Sequence, residues 1–300
     1  MDIIVGLESS NFWREKAGER GIGEENGVSD LSLLPECCIS EIISLTSPTD
    51  ACRAPSISSV FKSAADSDTV WEKFLPSDYT EILSRSVAPV VYSTKKELYF
   101  RLCDTPILLD AGNLSFMLHK WSGKKCYMIP ARGLSIVWGD TPQYWRWTSL
   151  PESRFSEVAE LLNVCWLDIG GKMQTQMLSP KTTYVVYLVF ELAERNYGLR
   201  VSSKASLRFV GESQEEAGWL TNTVYLGLPE RRRGLRRSAA RQPNGWLPQR
   251  RVDGWMESQL GEFFNDHGVH VELEMHLNEI EHGHCKSGLI VKGIELRPIE

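Results

Sequence analysis

Between residues 269 and 278 the chain alternates without a break. Val269, Val271, Leu273, Met275 and Leu277 take one parity, and His270, Glu272, Glu274, His276 and Asn278 take the other. Successive side chains of a strand point to opposite faces, so this segment has one buried face and one wet face. A strand of that kind belongs to an antiparallel sheet packed on one side only. Short β-branched and aromatic runs recur from residue 125 onward: CYMI, LSIVWG, VCWLDI, TTYVVYLVFEL, ASLRFVG, TVYLG and GLIVKGIEL, separated by Gly, Pro and Asn breaks. Residues 125–300 therefore read as an all-β sandwich or barrel. One stretch interrupts it. Residues 230–251 hold eight arginines and one acid and show no strand period, which predicts a long basic loop.

Upstream the period is helical. Pro35 suits the first position of a helix, because its missing N–H would be unpaired there anyway. Ile39, Ile42 and Ile43 then share a face. Ser47-Pro48-Thr49-Asp50 is a helix start, with Ser47 as cap. Ile57, Val60, Phe61 and Ala64 form a further stripe behind a Ser56 cap, and Val70, Trp71, Phe74 and Leu75 form a last short turn. Thr94-Lys95-Lys96-Glu97 is a capping-box pattern that predicts a helix near 95–103. The resulting division is a flexible tail over 1–27, a short-helix module over 28–80, a partly helical connector over 81–124 and the β region beyond. Some fifty residues of short helices make a small core, of a size that leans on a partner. The fold class is α+β in two modules.

The charge is uneven. Residues 1–80 hold six Lys and Arg against fourteen Asp and Glu, and the remainder holds 27 against 25. No run reaches the roughly 18 apolar residues of a membrane span. The start lacks a basic segment and a cleavage site, so no secretory signal is expected. Seven scattered cysteines, an odd number without Cys-x-x-Cys, fit a reduced chain with buried thiols in the cytoplasm and nucleus.

Five of the ten tryptophans, Trp121, Trp138, Trp145, Trp147 and Trp166, fall within 46 residues. Trp138, Trp145 and Trp147, with Tyr144, surround a Pro142 turn where rings can reach solvent, and Trp145 and Trp147 share one side of an extended segment. An aromatic plate covers the apolar face of a sugar ring, but tryptophans also pack in cores, and both readings stand at this point. Glu272 and Glu274 are same-face neighbours about 7 Å apart, a spacing open to glycoside hydrolysis. Nothing near them looks like an arrangement that raises one pKa. His282-Gly283-His284-Cys285 lacks a second cluster at structural-zinc spacing and reads as a loop without metal. No Gly-x-Ser-x-Gly, Walker or dinucleotide motif occurs, so no cofactor is expected. Arg231-Arg232-Arg233 and Arg236-Arg237 have only scattered aromatics around them, and recognition of nucleic acid is not expected.

Longer strings carry a resemblance. Leu34-Pro35-Glu36, Ile39-Ser40, Ile42-Ile43, Thr46 to Cys52, Val60-Phe61, Ala64 to Asp68, Val70-Trp71 and Phe74 to Tyr79 resemble the F-box that plants attach to phloem-lectin domains. Cys37 stands where that pattern usually has an acid. Lys120 to Tyr127, Ala131 to Ile136, Trp138 to Trp145, Glu157 to Leu161, Trp166 to Ile169, Lys181 to Tyr184, Tyr187 to Phe190, Gly254 to Glu257 and Lys286 to Gly288 resemble the phloem protein 2, or Nictaba-like, lectin family. The two resemblances span about residues 30–300.

The resemblance implies a jelly-roll-like sandwich and a non-catalytic substrate adaptor of an SCF-type ubiquitin ligase. The F-box would dock on a Skp-family adaptor and cullin, and the β domain would bind N-acetylglucosamine-containing glycans or glycoproteins. Trp138 and Trp145 match positions proposed to line the family's sugar site, as do Glu272 and Glu279. Trp147 joins them by sharing the side of Trp145. By alternation Glu272 falls on the wet face, whereas Glu279 has the parity of Leu277. Either the strand ends near Asn278 or a bulge re-aims Glu279. On the F-box, Leu34, Pro35, Ile39, Ile42, Ile43, Val60 and Trp71 are the candidate Skp contacts, with Leu34, Pro35 and the Ile39 face outward. Two alternatives are a β domain that binds a protein without sugar and a jelly-roll carbohydrate-active enzyme.

Overall fold

The computed structural model describes residues 34–210, 219–228, 245–266, 271–281 and 283–299. The tail expected over 1–27, and the arginine-rich stretch as far as residue 244, lie outside the described residues.

Among the described residues six α-helices precede the sheets: α1 (Glu36–Ser44), α2 (Pro48–Arg53), α3 (Ser59–Asp66), α4 (Asp68–Phe74), α5 (Tyr79–Ser84) and α6 (Lys95–Asp104). Their starts follow local chemistry. Pro35 stands just ahead of α1 as its N-cap rather than inside it. The Ser47 hydroxyl accepts from the Asp50 amide at 3.1 Å, with Pro48 in the first turn. Ser58 caps α3 by accepting from the Phe61 amide, while Ser56 ends a 3-10 turn, which corrects the expected cap by two residues. Thr94 accepts from the Glu97 amide, and the Glu97 carboxylate reaches back to the Ser93 amide, one residue before the cap, so the helix starts where the sequence indicates.

The strands are β1 (Ile107–Leu109), β2 (Leu114–Leu118), β3 (Lys125–Pro130), β4 (Ser135–Ile136), β5 (Trp145–Thr148), β6 (Val158–Leu161), β7 (Leu167–Gln174), β8 (Thr182–Tyr197), β9 (Ser202–Val210), β10 (Leu220–Tyr225), β11 (Gln249–Arg250), β12 (Met256–Asn265), β13 (Glu272–Glu279) and β14 (Ser287–Pro298). They form two antiparallel sheets. The larger runs β1-β2-β3-β14-β8-β12-β11, with β6 beside β14 and β5 beside β6, and the smaller runs β10-β9-β13-β7-β4. The sheets face each other: Phe209 meets Phe263 edge-on at 5.5 Å. Gly293, at a register shift of β14, has φ of +159°, and a Cβ there would lie 2.0 Å from the Ile129 carbonyl oxygen, so only glycine lets β3 pair at that point.

The two modules share one continuous hydrophobic core. Trp71 has no exposed surface and lies within 5.6 Å, centroid to centroid, of Phe74, Tyr99 and Phe100. Its indole N–H donates to the Ala65 carbonyl at 2.7 Å. Tyr99 of α6 donates its hydroxyl to the Lys120 carbonyl, and the buried Lys125 ammonium pairs with Asp78 at 2.8 Å. Residues 81–124 thus build both sides of the joint. α6 completes the helical core, and β1 and β2 place the start of the large sheet at Ile107, ahead of the period-two pattern that begins at 125.

The outer faces of the two sheets differ. That of the large sheet is partly roofed by Phe155 and Trp255, which pack on Met128, Val158 and Val189. Beside them Arg251 bonds Glu257 and Glu295 at 2.8 and 2.5 Å, and Arg297 bonds Glu257 at 2.7 Å. Burial alone would raise the Glu295 carboxyl, but the Arg251 and Arg297 guanidiniums outweigh it and hold it below the ordinary value. The outer face of the small sheet has no such roof among the described residues.

The thiols also depart from expectation. Only Cys103 and Cys126 are buried free thiols; Cys37, Cys38 and Cys52 are exposed. The sulfur atoms of Cys165 and Cys285 are in contact across 120 residues of sequence.

Candidate functional site

The segment from β4 to β5 makes three successive tight turns. Gly139 donates to the Ile136 carbonyl at 2.9 Å, Thr141 to the Trp138 carbonyl at 2.9 Å, and Tyr144 to the Thr141 carbonyl at 2.9 Å. Trp138 sits at the first of these turns with φ of +58°, in the left-handed region that non-glycine residues occupy at a cost of roughly 1–2 kcal/mol. The strained turn holds its ring outward, 45% exposed. Tyr144 lies 5.4 Å from it, and Trp166 meets it edge-on at 6.5 Å. All three rings are exposed, so they form an aromatic cluster in water at the end of the small sheet.

Trp145 and Trp147 take a different part. Trp145 is only 2% exposed, which corrects the expectation that its ring reaches solvent. Its indole N–H donates to the Val137 carbonyl at 3.2 Å. Trp147 is half-buried, its N–H donates to the Gly139 carbonyl at 2.9 Å, and the Arg132 guanidinium lies 3.7 Å over its ring. Two indoles thus tie the carbonyls on either side of Trp138. They are braces for the left-handed turn, and Trp138 presents the ring.

The two predicted glutamates are far apart. They occupy the two ends of β13, seven residues or about 23 Å of extended chain from each other. β13 continues straight through Asn278, paired with Asp168, to Glu279, paired with Leu167. Glu279 therefore keeps its inward parity, and no bulge re-aims it. It is buried and ion-paired with the equally buried Lys286 ammonium. That ammonium also donates to the carbonyls of Cys165 at 2.9 Å and His284 at 3.0 Å, so Glu279 supports the segment that carries Trp166. Glu272 is half-buried on the outer face of the small sheet, bonded by Lys172 at 3.0 Å. Lys172 also pairs with Glu274, which accepts from Arg208 at 2.6 Å. Lys172 and then Arg208 hold Glu274 below the ordinary carboxylate value, the opposite of what a general acid needs.

The same outer face carries Trp219, 43% exposed, edge-on to His276 at 5.4 Å and under the Arg208 guanidinium at 4.7 Å. A polar depression of 310 Å³ in the small sheet is lined by Ser202, Lys204, Thr223, Asn278 and Glu281, among others. Its hydroxyl, amide and charged groups suit the polar rim of a sugar. Among the described residues no group of three or more His, Cys, Asp or Glu could hold a metal. No helix among them is long and apolar enough to cross a membrane.

The candidate F-box residues divide in the same way. Ile39, Ile43 and Trp71 are inside the core and Leu34 is half-buried; Pro35, Ile42 and Val60 are exposed. The face of α1 that looks outward is that of Ile42, not that of Ile39. Leu45 and Ile57, which are not among the candidate Skp contacts, are 78% and 65% exposed. Trp166 belongs to the tryptophan crowding and to a family-like string, but neither assigns it to the site, because its ring reaches Trp138 through the fold and not through sequence spacing.

The chain is thus a helical module with apolar residues in water joined to an antiparallel two-sheet sandwich that carries exposed aromatic rings at one end. The profile of the phloem protein 2 family matches residues 124–298. The putative F-box protein PP2-B2 of Arabidopsis thaliana is 46% identical over 292 residues, covering 97% of this chain and 90% of that protein. The F-box protein PP2-B10 of the same plant is 45% identical over 273 residues, covering 90% and 94%. F-box protein SKIP3, also of Arabidopsis thaliana, is 40% identical over 274 residues, covering 90% and 89%. The chain belongs to the phloem protein 2 family, among its plant F-box proteins.

Proposed function

We propose that the chain is the substrate-recognition subunit of an SCF-type ubiquitin ligase, working in the cytoplasm and nucleus. The helical module docks on a Skp-family adaptor and through it on a cullin. The β-sandwich presents glycoproteins, whose N-acetylglucosamine-containing glycans stack on Trp138, Tyr144 and Trp166. The observation that carries the sugar half is this cluster of three exposed rings held out by a braced, strained turn. Stacking supplies the apolar part of sugar recognition. Asp168, half-buried and two residues after Trp166, supplies an acceptor for hydroxyls. Glu279, Trp145 and Trp147 position the rings, while Glu272 lies with Trp219 on the adjoining face.

The adaptor half rests on Ile42, Leu45, Ile57 and Val60, aliphatic side chains left in water on a small module. The F-box names of its relatives support it. Pull-down of a Skp-family protein by the full chain tests it. Wild type should retain the adaptor, and Ile42→Asp with Val60→Asp should lose it at least tenfold. No retention by the wild type contradicts this half.

A further inference from the structure

We infer that Cys165 and Cys285 are a reversible redox pair that staples the rim of the aromatic cluster. Val164 and Lys286 exchange two backbone hydrogen bonds, of 3.0 and 2.6 Å, across an isolated antiparallel bridge. The next residues across that bridge are Cys165 and Cys285. In an antiparallel pair such neighbours form a non-hydrogen-bonded pair, whose side chains approach most closely. Their Cα atoms are 3.9 Å apart. The bridge is a single pair with no ladder on either side, so a covalent link there would add what the hydrogen bonding lacks.

The site is selective as well as close. Cys165 is exposed and Cys285 half-buried, so a small oxidant or reductant reaches the pair. Cys103 is buried, with burial pushing its thiol up to about 12, and burial pushes the Cys126 thiol up as well; neither supplies thiolate readily. Cys37, Cys38 and Cys52 belong to the helical module.

The chemistry balances with a low-molecular-weight disulfide such as glutathione disulfide as oxidant. The Cys165 thiolate attacks one sulfur of the oxidant and releases one thiol. The Cys285 thiolate then attacks Cys165 in the mixed disulfide and releases the second. Two protein thiols lose two protons and two electrons, one S–S bond forms, and the oxidant's S–S bond becomes two thiols. A dithiol reverses the sequence. Trp166 follows Cys165 directly and stands edge-on to Trp138, while Cys285 lies in the loop from β13 to β14. The oxidised link fixes both strands beneath Trp166, and the reduced form holds them by two backbone hydrogen bonds and Lys286.

The full chain, reduced and then incubated with glutathione disulfide, tests this by alkylation and peptide mass mapping. A cross-linked peptide pair containing Cys165 and Cys285 should appear, two hydrogens lighter, and vanish with dithiothreitol. Its formation should raise the thermal midpoint by about 4 °C and slow amide exchange around residues 162–168. Cys165→Ser, a change at an exposed position, should leave Cys285 alkylatable and abolish both effects. Persistent alkylation of Cys165 and Cys285 in oxidised wild type, or cross-linking of either to another cysteine instead, overturns the inference. The link forms with or without sugar, so a blank glycan experiment does not bear on it.

Discussion

Ile42, Leu45, Ile57 and Val60 of the helical module and Trp138, Tyr144 and Trp166 of the sandwich are all left in water, yet they differ in what surrounds them. The first set is aliphatic and sits on short helices or the turns that end them, around a core already filled by Ile39, Ile43, Phe61 and Trp71. The second is aromatic and stands next to a polar sheet face with Asp168, His276, Asn278 and Lys204. Aliphatic surface without polar partners is suited to an apolar protein groove. Aromatic plates rimmed by hydroxyls, amides and carboxylates are suited to sugar rings. In both modules buried neighbours set the pose of the exposed side chains.

The sharpest way to break that division is to exchange the two roles. Trp71→Ala should cost about 3–5 kcal/mol in denaturant unfolding, and because the core is shared the sandwich should lose stability with the helices. Ile42→Asp should change stability by less than about 0.5 kcal/mol while removing Skp retention. Equal destabilisation by the two would dissolve the distinction.

Within the sandwich the same contrast separates Trp145 from Trp138. Trp145→Phe keeps a buried ring but leaves the Val137 carbonyl without its donor. It should cost about 1–3 kcal/mol and also weaken glycan binding, although the ring never touches sugar. Trp138→Ala should leave the thermal midpoint nearly unchanged. Glycan affinity that survives Trp145→Phe would show that the turn needs no brace.

The smallest effect expected is that of acid. Glu295 and Asp253 would be raised by burial, but their neighbouring cations outweigh it, and Lys172 and Arg208 lower Glu274. A carboxylate whose folded pKa lies below its unfolded value stabilises the fold above that unfolded value. The contribution is lost as pH falls through the folded value. The thermal midpoint should therefore be flat from pH 7 to about 5 and fall below about pH 4. A midpoint that rises on acidification would contradict these ion pairs.

Much of the architecture could be read from local pattern. The cap at Ser47, the cap at Thr94, and the alternation along β13 each depend on neighbours in sequence, and each forms as read. β1 and β2 were hidden, because Ile107–Leu118 has no period of two; β2 pairs with β3 and also supports α6, so it is buried from two directions, and β1 pairs with β2. The site was half legible. Trp138, Trp145 and Trp147 could be picked out, but which of them faces water depends on a left-handed turn and two indole hydrogen bonds. Trp166 reaches the cluster, and Lys286 meets Glu279, only through tertiary packing.

The most direct test of the central claim is titration of the full chain with N-acetylglucosamine oligomers and N-glycan cores, wild type against Trp138→Ala. The account predicts saturable binding by the wild type and at least a tenfold loss, about 1.4 kcal/mol, in the variant with its fold intact. Absence of binding by a folded wild type, or unchanged affinity in Trp138→Ala, would contradict it and leave the sandwich as a reader of protein surfaces.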